Sequence, residues 1–251
     1  MLNLYADVAA FRRRFANSAT LDSGDQVEVL RVLEAASREI DDYTRRTFYA
    51  ETATRYFDGN GRAELWLPLS KDGDLLSVTT LKVDEDGDGV YELTLAANTD
   101  YWLWPDNVTP KNRIDINLNS TQLSAFPCGR RRVEIVGSWG YTAATEIPAA
   151  TLNEDLDSSE VGVDVAAGTG ALFEVGQTIL IDAEQMYISA IATDTLTVTR
   201  GVNGTTAAAH TDTNQLIYRY VYIPEAGGMA LIQGMDPDVM ALLSAVRLRA
   251  V

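Results

Sequence analysis

The residues with the greatest chemical potential lie in Asp84-Glu85-Asp86-Gly87-Asp88-Gly89, where carboxylates are spaced as at the start of a calcium-binding loop. Such a loop takes oxygens from alternate early positions and closes with a bidentate glutamate at its twelfth. Asp84, Asp86 and Asp88 are therefore the candidate calcium ligands, with Glu92 as a further donor. The twelfth position is Leu95, so half of the ligand set is missing. The plainer reading is a tight Asp/Gly turn between two strands, and no metal or other cofactor is expected.

Other reactive side chains are sparse. His210 is the single histidine and sits in Ala207-Ala208-Ala209-His210-Thr211-Asp212, which reads as an exposed loop. A zinc site or a serine–histidine pair would have to use it, and no cysteine or second histidine lies nearby. Cys128, the one cysteine, rules out an internal disulfide framework. Gly168-Thr169-Gly170 lacks the third glycine of a dinucleotide fingerprint, and no phosphate-cradling Gly-Lys-Ser/Thr sequence occurs. Pairs such as Glu64 with Asp72 or Asp74 are expected by chance among 36 acidic residues. No catalytic constellation emerges, and the expectation is that the protein is not an enzyme.

The formal charge of −16 argues against general nucleic-acid binding, which needs a basic surface. It is compatible with enclosing DNA without gripping it, because an acidic wall repels phosphates. The basic residues are 17 arginines and 3 lysines, a bias toward the side chain suited to fixed interface pairs. Two arginine clusters stand out, Arg12-Arg13-Arg14 and Arg130-Arg131-Arg132. Each is either a solvated surface or a candidate contact with neighbouring subunits or with passing DNA. No apolar run approaches the ~20 residues of a membrane span, and the opening residues do not form a secretory signal.

The elements that must position these groups form a clear sequence. Asp7 can cap a helix over 7–16, and Asp22, Ser23 or Asp25 a second over 23–46. In the second, Val29, Leu33, Ala36, Ile40 and Tyr43 share one stripe, and Arg45 and Arg46 complement its C-terminal dipole. A β region over 52–147 follows, opening with a hairpin of 54–57 and 64–67 around Asp58-Gly59-Asn60-Gly61. Pro148 to Ser159 reads as a hinge before a second β-rich block over 158–221, with strands at 161–165, 178–181, 186–190, 196–199 and 215–220. A tail over 222–251 carries a last helix at about 236–249, capped by Asp236 with Pro237 in its first turn. The expected fold is α+β: N-terminal helices, a β-sandwich or small barrel, a second β-rich domain and a C-terminal tail helix.

Several stretches, in this order, resemble the head–tail connector (adaptor) family of tailed bacteriophages. They are Tyr5-Ala6-Asp7-Val8, Leu33-Glu34-Ala35-Ala36-Ser37 through Ile40 to Phe48, and Arg55-Tyr56-Phe57-Asp58-Gly59. Lys82-Val83-Asp84 with Asp86-Gly87-Asp88-Gly89, Asp100-Tyr101-Trp102-Leu103, and Val133-Glu134-Ile135 with Gly137-Ser138-Trp139-Gly140-Tyr141 come next, then the final helix. The resemblance covers most of 1–150 and 222–251 and makes 1–157 a connector core. It departs at 158–221, an inserted domain in which Arg200-Gly201-Val202-Asn203-Gly204-Thr205-Thr206-Ala207-Ala208-Ala209-His210 looks like a β module of other phage virion proteins.

The resemblance implies a structural virion protein, made in the host cytoplasm and housed in the particle neck. Copies would form a ring, usually dodecameric, with the portal protein above and a stopper or tail protein below. DNA would pass through without sequence-specific binding, and no membrane would be involved. It also implies that Asp236, Pro237, Val239, Leu242, Leu243 and Arg247 dock on the portal. Two other readings compete. Two β-rich blocks with many tyrosines and tryptophans suit a carbohydrate- or receptor-binding adhesin, and the Asp84–Asp88 loop suits a calcium-dependent enzyme.

Overall fold

The computed structural model of the protein describes residues 3–5, 23–141, 145–212 and 214–221. It divides into two units, Met1–Thr44 with Ala144–Val251, and Arg45–Ala143. Strands account for 42% of the described residues and helix for 11%, so the protein is mainly β and the α+β expectation is corrected. Among the described residues the α-helix α1 (Ser23–Thr44) stands alone against thirteen strands. The helices expected over 7–16 and 236–249 lie outside the described residues.

The Arg45–Ala143 unit is a β-sandwich. One sheet has the order β1-β7-β3-β4, formed by Glu51–Gly59, Gly129–Trp139, Leu75–Val83 and Leu93–Leu95. The other has the order β2-β6-β5, formed by Glu64–Trp66, Arg113–Ile116 and Tyr101–Trp104. All neighbours run antiparallel. Alternation puts Val133, Ile135 and Trp139 of β7 inside, against Leu75, Leu81, Leu65, Ile114 and Phe126. The hairpin expected from 54–57 and 64–67 is replaced by a sheet change, since β1 pairs with β7 and β2 with β6. The turn residues at 58–61 reverse the chain but do not choose its next partner.

The second unit is built on a six-stranded antiparallel sheet of order β8-β13-β10-β11-β12-β9. Its strands are β8 (Thr145–Thr151), β9 (Gly162–Asp164), β10 (Thr178–Ile181), β11 (Glu184–Ala192), β12 (Thr195–Thr199) and β13 (Leu216–Val221). A bridge from Leu152 to Val165 joins the two outer strands and closes the sheet into a small barrel. Val163, Ile179, Ile181, Met186, Ile188, Leu196 and Ile217 fill it. The sequence placed the boundary at 157/158 and read 148–159 as a hinge. Instead β8 belongs to the barrel, and a register shift between Ile217 and Tyr218 accommodates Pro148 in its strand.

Helix α1 belongs to this second unit. Leu33 is buried, with Val29 and Leu30 packed beside it and against Leu4. Gly176, at φ +96°, lies where this helix meets the barrel: a Cβ there would come within 2.8 Å of both Leu30 and Leu4 side chains. Tyr43, expected on the apolar stripe, is 70% exposed. Arg45 adopts φ 55° and ends the helix. Arg46 does not serve the helix dipole but reaches Asp74 at 2.5 Å, within the sandwich unit.

Candidate functional site

The outer face of the β2-β6-β5 sheet is the most unusual surface of the sandwich. Leu65, Ile114 and Leu103 point inward, so the alternating residues must point out. The register sets Trp66, Arg113 and Trp104 in one row, and Glu64, Asp115 and Trp102 in the next. Trp66, Trp102 and Trp104 are 55%, 45% and 40% exposed. The Arg113 guanidinium packs on two indoles, 4.9 Å from the Trp66 ring and 4.6 Å from that of Trp104. Asp115 accepts a hydrogen bond from it at 2.7 Å. Arg113 Nε and Asp115 Oδ1 are buried beneath the rings without a hydrogen-bond partner among the described residues. Large aromatics packed around an arginine have the composition of a binding hot spot. Each pair, Glu64-x-Trp66, Trp102-x-Trp104 and Arg113-x-Asp115, is visible in the sequence, but their meeting depends on the sheet order.

The acidic loop is a turn organised around Asp84. Its buried carboxylate accepts hydrogen bonds from the Gly87 amide (a short contact), from the Gly89 amide at 3.1 Å and from Arg132 at 3.1 Å. Burial works to raise its pKa, but the two amides and then Arg132 more than offset this and hold it below the usual carboxylate range. Asp86 and Asp88 each accept from the amide two residues on, at 3.1 and 2.7 Å. Oxygens of Asp84, Asp86, Asp88 and Glu92 do lie within 4.8 Å of one another. Calcium requires about six to eight oxygens, and here the innermost carboxylate already has an arginine as its counter-charge.

That pairing also divides the second arginine cluster. Arg132 is half-buried as the partner of Asp84, so it is not the freely solvated side chain that one of the two readings of this cluster expected. Arg131, at φ 53°, lies over the Tyr56 ring at 4.2 Å, and its amide donates to Asp58 at 2.8 Å. Arg130 and Arg131 are exposed. Cys128 is an exposed free thiol. Arg12, Arg13 and Arg14 lie outside the described residues, as do Asp236, Pro237, Val239, Leu242, Leu243 and Arg247.

The barrel contains a site that sequence reasoning missed. Glu184 is buried and receives a two-pronged ion pair from Arg200, Nε at 2.7 Å and Nη2 at 2.8 Å. The remaining N–H groups of Arg200 donate to the carbonyls of Asp157 at 2.7 Å, Glu160 at 2.8 Å and Ala208 at 2.6 Å. The Gly201 and Ala208 amides, both at 3.0 Å, also bind Glu184. His210 is buried, contrary to the exposed loop expected, with ring nitrogens 2.8 Å from Asp182 and 2.9 Å from Glu184. Burial alone raises the Glu184 pKa, but Arg200, the amides and His210 bring it down to about 2. Together these groups clasp the 200–210 loop to its neighbours.

The same loop carries Asn203 at φ 56°, whose side-chain amide pairs reciprocally with that of Asn3. Asn3 also accepts from Thr178 at 3.0 Å, and Asn203 donates to Gln185 at 2.6 Å. The N-terminal segment is thereby tied to the barrel, and Tyr5 continues the attachment to Ser37 and Asp41 of α1. Among the described residues no helix is long and apolar enough to cross a membrane. No protein-family model and no curated protein matches this chain.

Proposed function

We propose that the protein is a structural subunit of a tailed-phage particle, a head–tail connector whose copies close into a ring below the portal. The observation that carries the reading is the Trp66–Arg113–Trp104 face with Trp102 beside it. An exposed, preorganised aromatic–arginine surface is interface chemistry. The ordered connector-like motifs give that interface its context: Arg55-Tyr56-Phe57-Asp58-Gly59 forms the end of β1, and Val133-Glu134-Ile135 with Gly137-Ser138-Trp139 forms most of β7. A mainly β subunit serves this role as well as a helical one, since ring closure depends on interface angles and not on element type.

In this reading the charge of −16 suits a bore through which DNA slides. The portal lies above and a stopper or tail protein below, and Asp236, Pro237, Val239, Leu242, Leu243 and Arg247 form the portal-docking segment. Gold-labelled antibody against the protein, applied to the parent particles, tests the reading. Label at the neck supports it, and label confined to fibre tips overturns it.

The tryptophan face also favours a second reading, a carbohydrate-binding adhesin, because exposed indoles stack on sugar rings. A glycan array decides between them. Glycan binding abolished by Trp66→Ala favours the adhesin, and the absence of glycan binding with label at the neck favours the connector.

A further inference from the structure

We infer that successive copies join by β-sheet extension, the β1 edge of one copy pairing with the β4 edge of the next. The inference rests on the ring-forming reading and names the contact that would build the ring.

Strand β1 is nine residues long and has a single neighbour, β7. Among the described residues, 51–59 make no backbone–backbone hydrogen bond outside that ladder. A row of unpaired N–H and C=O groups is a template for another strand, and proteins ordinarily blunt it with proline, lysine or a short strand. On β1 none of those devices is present, whereas β4 is itself short. Thr52, Thr54 and Tyr56 are exposed, and the charges of Glu51 and Arg55 cancel in a pair at 2.6 Å. The sheet's other edge, β4, is equally unpaired beyond β3.

The two edges are complementary in sense. Each step from β1 to β7, β3 and β4 is antiparallel, so β4 runs opposite to β1. A β4 strand from the next copy therefore enters antiparallel, the more stable pairing. The edges also match in charge. Gly59 pairs with Gly129, which puts the end of β1 beside exposed Arg130 and Arg131, neither of them in an ion pair among the described residues. Val83 pairs with Leu93, which puts the exposed Glu85, Asp86, Asp88 and Glu92 at the same end of the sheet, in a turn whose Tyr91 reaches back to the Tyr56 ring at 5.7 Å and donates to the Arg131 carbonyl at 2.8 Å. Antiparallel docking sets the acidic turn of one copy against the arginines of the next. Because β4 spans only Leu93–Leu95, the ladder is short, and these charges fix its register with Thr94 opposite Thr54 and Glu92 opposite Tyr56, over whose ring Arg131 lies. The contact joins unlike edges, so it propagates head to tail and can close a ring.

Disulfide trapping of the full chain in a Cys128→Ser background tests this. Thr54 and Thr94 are exposed on one sheet face, since Tyr56, Glu134, Lys82 and Thr94 lie in one row. Thr54→Cys with Thr94→Cys is expected to give an oxidised ladder extending beyond dimers. The control pair Glu134→Cys with Thr94→Cys, whose first cysteine is on the central strand, should give none. Thr52→Lys with Thr54→Lys should weaken self-association at least about tenfold while circular dichroism stays unchanged. An absent ladder, or assembly indifferent to the edge lysines, overturns the inference and leaves the connector reading to the neck labelling. A ladder without neck label overturns the connector reading instead.

Discussion

Arg200 and Glu184 face each other at 2.7 Å inside the barrel unit, with side chains only 7% and 1% exposed. Every N–H of Arg200 has an acceptor, and these acceptors lie on three separate stretches of chain. Removing one partner of such a pair leaves a buried charge without compensation, at about 3–5 kcal/mol. Arg200→Met is expected to destabilise the barrel unit by that amount in urea unfolding. Glu184→Met with Arg200→Met should cost less than either single change.

Acid sensitivity follows from the same pair. The folded-state pKa of Glu184 is depressed from 4.5 to about 2. Its contribution is therefore fully present above the unfolded value and lost as pH falls from about 4.5 toward 2. Thermal melts should show the wild type losing stability through that window, and Glu184→Gln showing a smaller slope there.

Gly176 combines a left-handed backbone with contact to Leu30 and Leu4. Gly176→Val is expected to cost about 2 kcal/mol or more, from positive-φ strain and overpacking together. The loss should appear in a thermal melt followed at 222 nm, the helix signal.

The tryptophan face should separate binding from folding. Trp66 and Trp104 are substantially exposed, so Trp66→Ala is expected to change stability by about 1 kcal/mol or less. If the face is an interface centre, the same change weakens partner association by about 2 kcal/mol or more. Arg113→Lys should lower affinity as well, since an ammonium lacks the planar stack on both indoles. Incorporation of variant protein into particles is the measurement.

The acidic loop should behave as a turn. With Asp84 neutralised by Arg132 and two amides, a chelator is expected to leave the melting temperature unchanged within about 1 °C, as is millimolar calcium. Asp84→Asn should destabilise the sandwich unit in either medium, because it weakens the pair with Arg132.

Local patterns carried most of the strands. Runs such as Thr178–Ile181 and Thr195–Thr199 lie within a residue or two of their expected places, because alternation and bounding turns are written locally. What failed was non-local. Pro148 looked like a hinge because a proline's tolerance depends on the register of a partner 70 residues away, Tyr218. His210 looked exposed because its burial depends on Glu184 and on the Arg200 clasp. The tryptophans were countable, but the row Trp66–Arg113–Trp104 exists only because β6 lies between β2 and β5.

The most direct test of the connector reading is where the molecule sits in the parent particle. A cryo-electron microscopy reconstruction of the neck should contain a ring between portal and tail into which the sandwich and barrel units fit as repeated bodies. Density for these units only at a fibre or baseplate tip, with a neck fully explained by other chains, would contradict it.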